Sequence, residues 1–130
     1  LKTISLCIIM KIYTEDRPWG RFEKFHENKV STVKLIYITP NHRLSLQYHT
    51  HRNEFWRIIN GTAEVEVDGK TFSVKEGDDV SIGPKSHHRI KALAKGCIVL
   101  EISYGHFDED DIVRIEDDFN RTDASNPRPT

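Results

Sequence analysis

Apolar residues recur along this chain at intervals of two rather than three or four. Ser31 to Thr39 is rich in β-branched and aromatic residues and stops at Pro40-Asn41, Glu54 to Asn60 closes on Gly61, and Ala63 to Val67 alternates apolar with acidic side chains. That period puts alternate residues on opposite faces of a strand. Asp68-Gly69, between Val65/Val67 and Phe72/Val74, predicts a two-residue hairpin. Lys75-Glu76-Gly77-Asp78 and Gly83-Pro84-Lys85-Ser86 read as further turns, and Val80 to Ile82, His87 to Leu93 and Cys97 to Tyr104 as further strands. Arg21 to Phe25 adds a short strand after the break at Pro18 and Gly20. Many short strands with regular turn signals and no helical period predict an all-β sandwich or barrel.

One strand in this pattern carries chemistry on one face. In Leu44-Ser45-Leu46-Gln47-Tyr48-His49-Thr50-His51, alternation places Ser45, Gln47, His49 and His51 together and Leu44, Leu46 and Tyr48 opposite. Histidines at i and i+2 on a strand lie roughly 6.5 to 7 Å apart at Cα, so both can reach one divalent ion. A third histidine should come from another strand of the barrel, and His88 fits, with Ile90 and Ala92 on its face; His87 then points outward. Glu54 lies only two residues beyond His51, so it reaches the histidine face if the chain bends at Arg52-Asn53, and Gln47 is the substitute ligand otherwise. Such a donor set suits zinc, manganese, iron, nickel or cobalt.

At 130 residues the chain fits one domain, and a formal net charge of -1 supplies no basic field for nucleic acid or a membrane surface. Cys7 and Cys97 have no paired spacing and point to a reducing, cytoplasmic setting. Ile4 to Met10 is too short to span a bilayer and lacks a cleavage site. Residues 1–10 are read as an N-terminal extension, with Met10 as the natural start, residues 11–121 as the domain, and 122–130 as a disordered polar tail. The acidic stretch from Asp108 to Phe119 interleaves apolar residues and is either a solvated run or a short packed segment.

The spacing of Gln47-x-His49-x-His51, Glu54, Gly61, Gly77-Asp78 and His88 resembles the cupin pattern of small double-stranded β-helix, or jelly-roll, barrels that hold a metal inside. Gly83-Pro84-Lys85 replaces the usual Pro-x-Gly before the last histidine. Arg17-Pro18-Trp19-Gly20, Leu44-Ser45-Leu46-Gln47-x-His49-x-His51-Arg52-x-Glu54-x-Trp56, His88-Arg89 and Glu109-Asp110-Asp111-Ile112-Val113-Arg114 together resemble the type II mannose-6-phosphate isomerase domain, which is also the C-terminal part of bifunctional guanylyltransferase/isomerases. The nucleotidyltransferase portion has no counterpart here, so guanylyltransferase activity is not expected.

This resemblance implies an all-β cupin barrel with a short irregular or helical C-terminal segment that packs near the cavity. It also implies a metal-dependent aldose–ketose isomerase interconverting mannose 6-phosphate and fructose 6-phosphate through an enediol. The implied ligands are His49, His51, Glu54 and His88, with Gln47 in reserve. Glu101, alternating with Cys97, Val99 and Ser103, is a candidate base beside His88 if it faces inward; an outward Glu101 with Ile98, Leu100 and Ile102 inside is the other possibility. Arg17, Trp19, Gln47, Arg52 and Arg89 are the candidate substrate contacts, and Lys34 and Lys85 are further cationic donors. The substrate expected is a small sugar phosphate, and a homodimer joined through sheet edges is the expected assembly. A sugar-binding cupin without catalysis and a different cupin enzyme such as a dioxygenase are the alternatives, since a ligand set alone does not fix a reaction.

Overall fold

The structure is a computed structural model that describes residues 2–3 and 12–122. Cys7, Met10 and the predicted tail beyond Thr122 lie outside the described residues. Among the described residues ten strands follow in order: β1 (Lys2–Thr3), β2 (Tyr13–Arg17), β3 (Gly20–Lys24), β4 (Ser31–Ile38), β5 (Leu46–Tyr48), β6 (Asn53–Val67), β7 (Lys70–Lys75), β8 (Asp79–Ile82), β9 (His88–Tyr104) and β10 (Val113–Glu116). No helix occurs among the described residues, as the two-residue period requires. The C-terminal segment, for which a helix was one expectation, is extended: β10 pairs antiparallel with β5, Val113 opposite Tyr48 and Arg114 opposite Gln47.

Eight strands form one sheet in the order β1-β8-β6-β9-β5-β10, with β4 on β9 and β7 on β6, while β2 and β3 form a separate hairpin. The predicted turn at Asp68-Gly69 is present with both residues at positive φ (49° and 83°), the geometry that matches the twist of a two-residue hairpin. Two expected breaks are instead continuous. β6 runs through Gly61 and β9 through Gly96, with register shifts at Ile58/Asn60 and Gly61/Ala63. At Gly61, with φ of 86°, a Cβ would stand 2.2 Å from the Gly96 carbonyl oxygen, so these strands cross in contact where only glycine fits. The glycines bend the strands without ending them.

The inner faces of these bent strands make the core. Trp56, Ile58, Ala63, Val65 and Val67 of β6 meet Ile90, Ala92, Cys97 and Val99 of β9, closed by Val74 of β7 and Val80 and Ile82 of β8. The β2–β3 hairpin is held against the outside of β6. Arg57 bonds Glu23 (2.8 Å) and Asp79 (2.7 Å), and the Phe25 ring rests on Phe55 with centroids 5.6 Å apart. The outer face of edge strand β4 exposes Val33, Leu35 and Tyr37.

A candidate metal centre in the barrel

The histidine segment does not run on as one strand. β5 ends at Tyr48, the chain bends at Thr50-His51, and β6 starts at Asn53. The bend comes two residues before the expected Arg52-Asn53 and reverses the phase of the residues beyond it. Glu54 turns inward and is 2% exposed, whereas the His51 side chain is thrown outward and 84% exposed. The reading of His49 and His51 as two ligands from one strand face is therefore corrected: strand alternation stops at Tyr48, and His51 stands outside the cluster. His88 enters from β9 as expected and is wholly buried, and His87 faces out and stacks on Tyr48.

His49, Glu54 and His88 bring one ligand atom each within 4.8 Å of one another and form a candidate metal-binding triad. His49 Nε2 lies 3.5 Å from Glu54 Oε2, and His88 Nε2 lies 3.7 Å from Glu54 Oε1. The far nitrogen of each ring fixes its tautomer. His49 Nδ1 is 2.6 Å from the Asp111 carbonyl and His88 Nδ1 is 2.8 Å from the Ser86 carbonyl. A carbonyl only accepts, so both Nδ1 atoms carry the proton and both Nε2 lone pairs face the triad. Arg52 Nη2 also lies 2.7 Å from His49 Nδ1, but a nitrogen donating to the carbonyl has no lone pair left for it.

Burial, followed by the nearby His88 and Arg52 charges, lowers the His49 pKa to about 3, and burial lowers that of His88 to about 4. Both rings are thus neutral, the form in which imidazole ligates. Burial raises the Glu54 carboxyl. Glu54 Oε1 and His88 Nε2 are buried without a hydrogen-bond partner, a costly arrangement that a shared cation would relieve. Two imidazole nitrogens and a carboxylate suit a borderline divalent ion, so the residues fit such a group.

His49 and Glu54 of the triad form part of the wall of a cavity of about 190 Å3, and His88 lies buried behind them. Of the other predicted residues, Gln47, Arg52, Glu101 and Lys34 line it. Gln47 Oε1 accepts from Ser45 Oγ at 2.7 Å, and Gln47 stands opposite His88 across β5 and β9. Glu101 takes the inward alternative, buried, with the Trp56 indole N–H donating to Oε2 at 3.2 Å. Burial, then the charge of Glu54, pushes the Glu101 carboxyl up to about 7. Arg52 and Lys34 flank the Phe107 ring, each 4.5 Å from its centroid.

Four predicted contacts are elsewhere. Arg17 pairs with Glu15 on the β2–β3 hairpin and Trp19 projects from its tip, 73% exposed; neither lines the cavity, because that hairpin is fixed to the outside of β6. Arg89 donates to the Leu44 carbonyl (3.1 Å) and to Glu116 (3.0 Å), so it ties down the C-terminal segment. Lys85 lies on the turn before β9, where its amide bonds the His49 carbonyl. The lining residues not singled out as site residues in the sequence are Phe107, Glu109, Ile112, Arg114 and Arg121, in and beside the acidic segment, together with Ile36, Leu44 and Ser45. Ile112 and Arg114, two apart, were the signal of an extended element with one face to the cavity.

A family model described as "Mannose-6-phosphate isomerase C-terminal" matches residues 9–117. The alginate biosynthesis protein AlgA of Pseudomonas aeruginosa is 40% identical over 108 residues, 82% of this chain and 22% of that protein. A mannose-1-phosphate guanylyltransferase of Escherichia coli is 37% identical over 81% of this chain and 23% of its own length. The chain therefore spans less than a quarter of these two curated relatives. Among solved structures, oxalate decarboxylase from Bacillus subtilis aligns with a TM-score of 0.60 at 25% identity, covering 67% of this chain and 24% of that one. KdgF from Halomonas aligns with a TM-score of 0.58 at 17% identity, covering 64% and 74%. These likenesses and the strand order agree on an all-β cupin jelly roll. With a family match over nearly its whole described length and a candidate metal triad inside its barrel, the chain belongs to the mannose-6-phosphate isomerase C-terminal family.

Proposed function

We propose that this domain is a metal-dependent aldose–ketose isomerase that interconverts mannose 6-phosphate and fructose 6-phosphate. The observation that carries the reading is the position of Glu101, a buried carboxyl with a pKa raised to about 7, in the same cavity wall as His49 and Glu54 of the triad. A divalent ion held by His49, Glu54 and His88, with Gln47 beside them, would polarise the sugar carbonyl and steady the developing oxyanion. His88 acts here as ligand, its proton held on Nδ1 by Ser86.

Glu101 is the proton carrier. Its carboxylate removes the C2 proton of the open-chain aldose, leaving an enediolate; a second proton passes from O2 to O1, and the Glu101 carboxylic acid then delivers its proton to C1 to give the ketose. A pKa near neutrality makes both forms accessible, and the Trp56 N–H holds one oxygen so that the other faces the cavity. Lys34, Arg52, Arg114 and Arg121 give the wall a cationic side suited to a phosphate. A cytoplasmic homodimer remains part of this reading, the dimer supported by the apolar strip on edge strand β4.

Purified protein should contain a divalent metal and interconvert the two sugar phosphates, with activity lost to a chelator and restored by added metal. Tight sugar binding without turnover would point to a binding protein, and oxygen consumption with bound iron to a different cupin enzyme.

A further inference from the structure

Asp111 precedes β10 by two residues and accepts three hydrogen bonds from the His49–His51 segment. Its backbone carbonyl accepts from His49 Nδ1 at 2.6 Å, its Oδ1 accepts the Thr50 N–H at 2.7 Å, and its Oδ2 accepts the His51 N–H at 2.9 Å. Two adjacent amides on the two oxygens of one carboxylate fix the orientation of that residue more tightly than a single bond does. The neighbouring acids do not share the task. Asp108 accepts the amide of Asp110 with its side chain and that of Asp111 with its carbonyl, forming the turn that presents Asp111 to the bend.

This is the same bend that ends β5 and turns His51 out and Glu54 in. An unheld bend would leave the His49 ring free to rotate about its χ angles and Nε2 free to leave the triad. We propose that Asp111 is a positioning residue of the metal centre: by gripping the Thr50 and His51 amides it keeps its own carbonyl against His49 and aims His49 Nε2 at Glu54 and His88. The C-terminal segment is then a working part of the ligand set as well as a wall of the cavity. The proposal rests on the metal-binding reading of the triad.

Cobalt(II) titration of the full chain, followed by its visible absorption, tests both layers. Asp111→Ala should weaken cobalt binding ~10- to 100-fold, the usual size of a lost outer-sphere partner, and change the band shape. Asp111→Asn, which keeps the shape and one acceptor oxygen, should fall between it and the unaltered protein, and Asp110→Ala should match the unaltered protein. Where Asp111→Ala does not fold, Asp111→Asn decides alone. Cobalt affinity within twofold of the unaltered protein and an unchanged spectrum would overturn the proposal, as would a lower melting temperature of the metal-free protein with unmoved affinity, the mark of a purely structural latch. An unaltered protein that binds no cobalt, or a His88→Ala variant that binds it equally well, overturns the metal reading itself.

Discussion

β6 and β9 each pass through two interiors of opposite character. Around Gly61 and Gly96 they bury Ile58, Ala63, Val65, Ala92 and Val99 against one another, all apolar and closely packed. Towards the ends of the same strands they bury Glu54, His88, Glu101 and Ser103. The apolar half gains roughly 25 cal/mol for each Å2 removed from water. The other half places a carboxyl oxygen and an imidazole nitrogen out of reach of water without partners, which costs stability unless a ligand answers them. In a barrel with continuous strands, function lies where burial and hydrogen bonding disagree.

That contrast can be broken from either side. The largest effect is expected at the polar end, where His88→Ala or Glu54→Ala should strip bound metal and lower isomerase activity more than ~100-fold, while denaturant midpoints stay near or above that of the metal-free parent. Bound metal by elemental analysis and sugar-phosphate turnover check it. At the apolar end, Ile58→Ala should cost about 2–5 kcal/mol in urea unfolding and leave metal stoichiometry intact in the folded fraction.

The two kinds of buried group also respond oppositely to pH in the metal-free protein. Glu101 titrates near 7 when folded against 4.5 ordinarily, so its stabilising contribution is present below 4.5 and lost as pH rises through 7. His49 and His88, lowered to about 3 and about 4 from 6.5, act oppositely, their neutral forms losing ground as pH falls from 6.5. Glu101→Gln should therefore gain stability relative to the parent between pH 5 and pH 8, read as the difference in melting temperature across that range. The smallest effect belongs to His51→Ala, whose exposed ring should leave metal content and activity within ~2-fold and stability within ~0.5 kcal/mol.

Much of the architecture is legible in the amino-acid sequence. The Asp68-Gly69 hairpin, the inward face of His88, Ile90 and Ala92, and the all-β class come from local rules of alternation and turn chemistry. The features that are not legible depend on contacts distant in sequence. The bend that separates His51 from Glu54 is held by Asp111, about 60 residues away in the chain. Arg17 and Trp19 carry a family motif but no information about which side of β6 their hairpin takes, and Arg57 decides that. The merging of two predicted strands into β9 comes from a glycine contact with Gly61 that only the folded register creates.

The Trp56 ring is buried 5.7 Å from the His88 ring and edge-on to it, with its N–H bonded to Glu101, and the chain's only other tryptophan, Trp19, lies in open solvent. The molecule thus carries its own optical reporter. A small neutral quencher such as acrylamide should silence Trp19 while leaving Trp56 bright, so that residual emission follows the charge on Glu101 and the occupancy of the triad without any label.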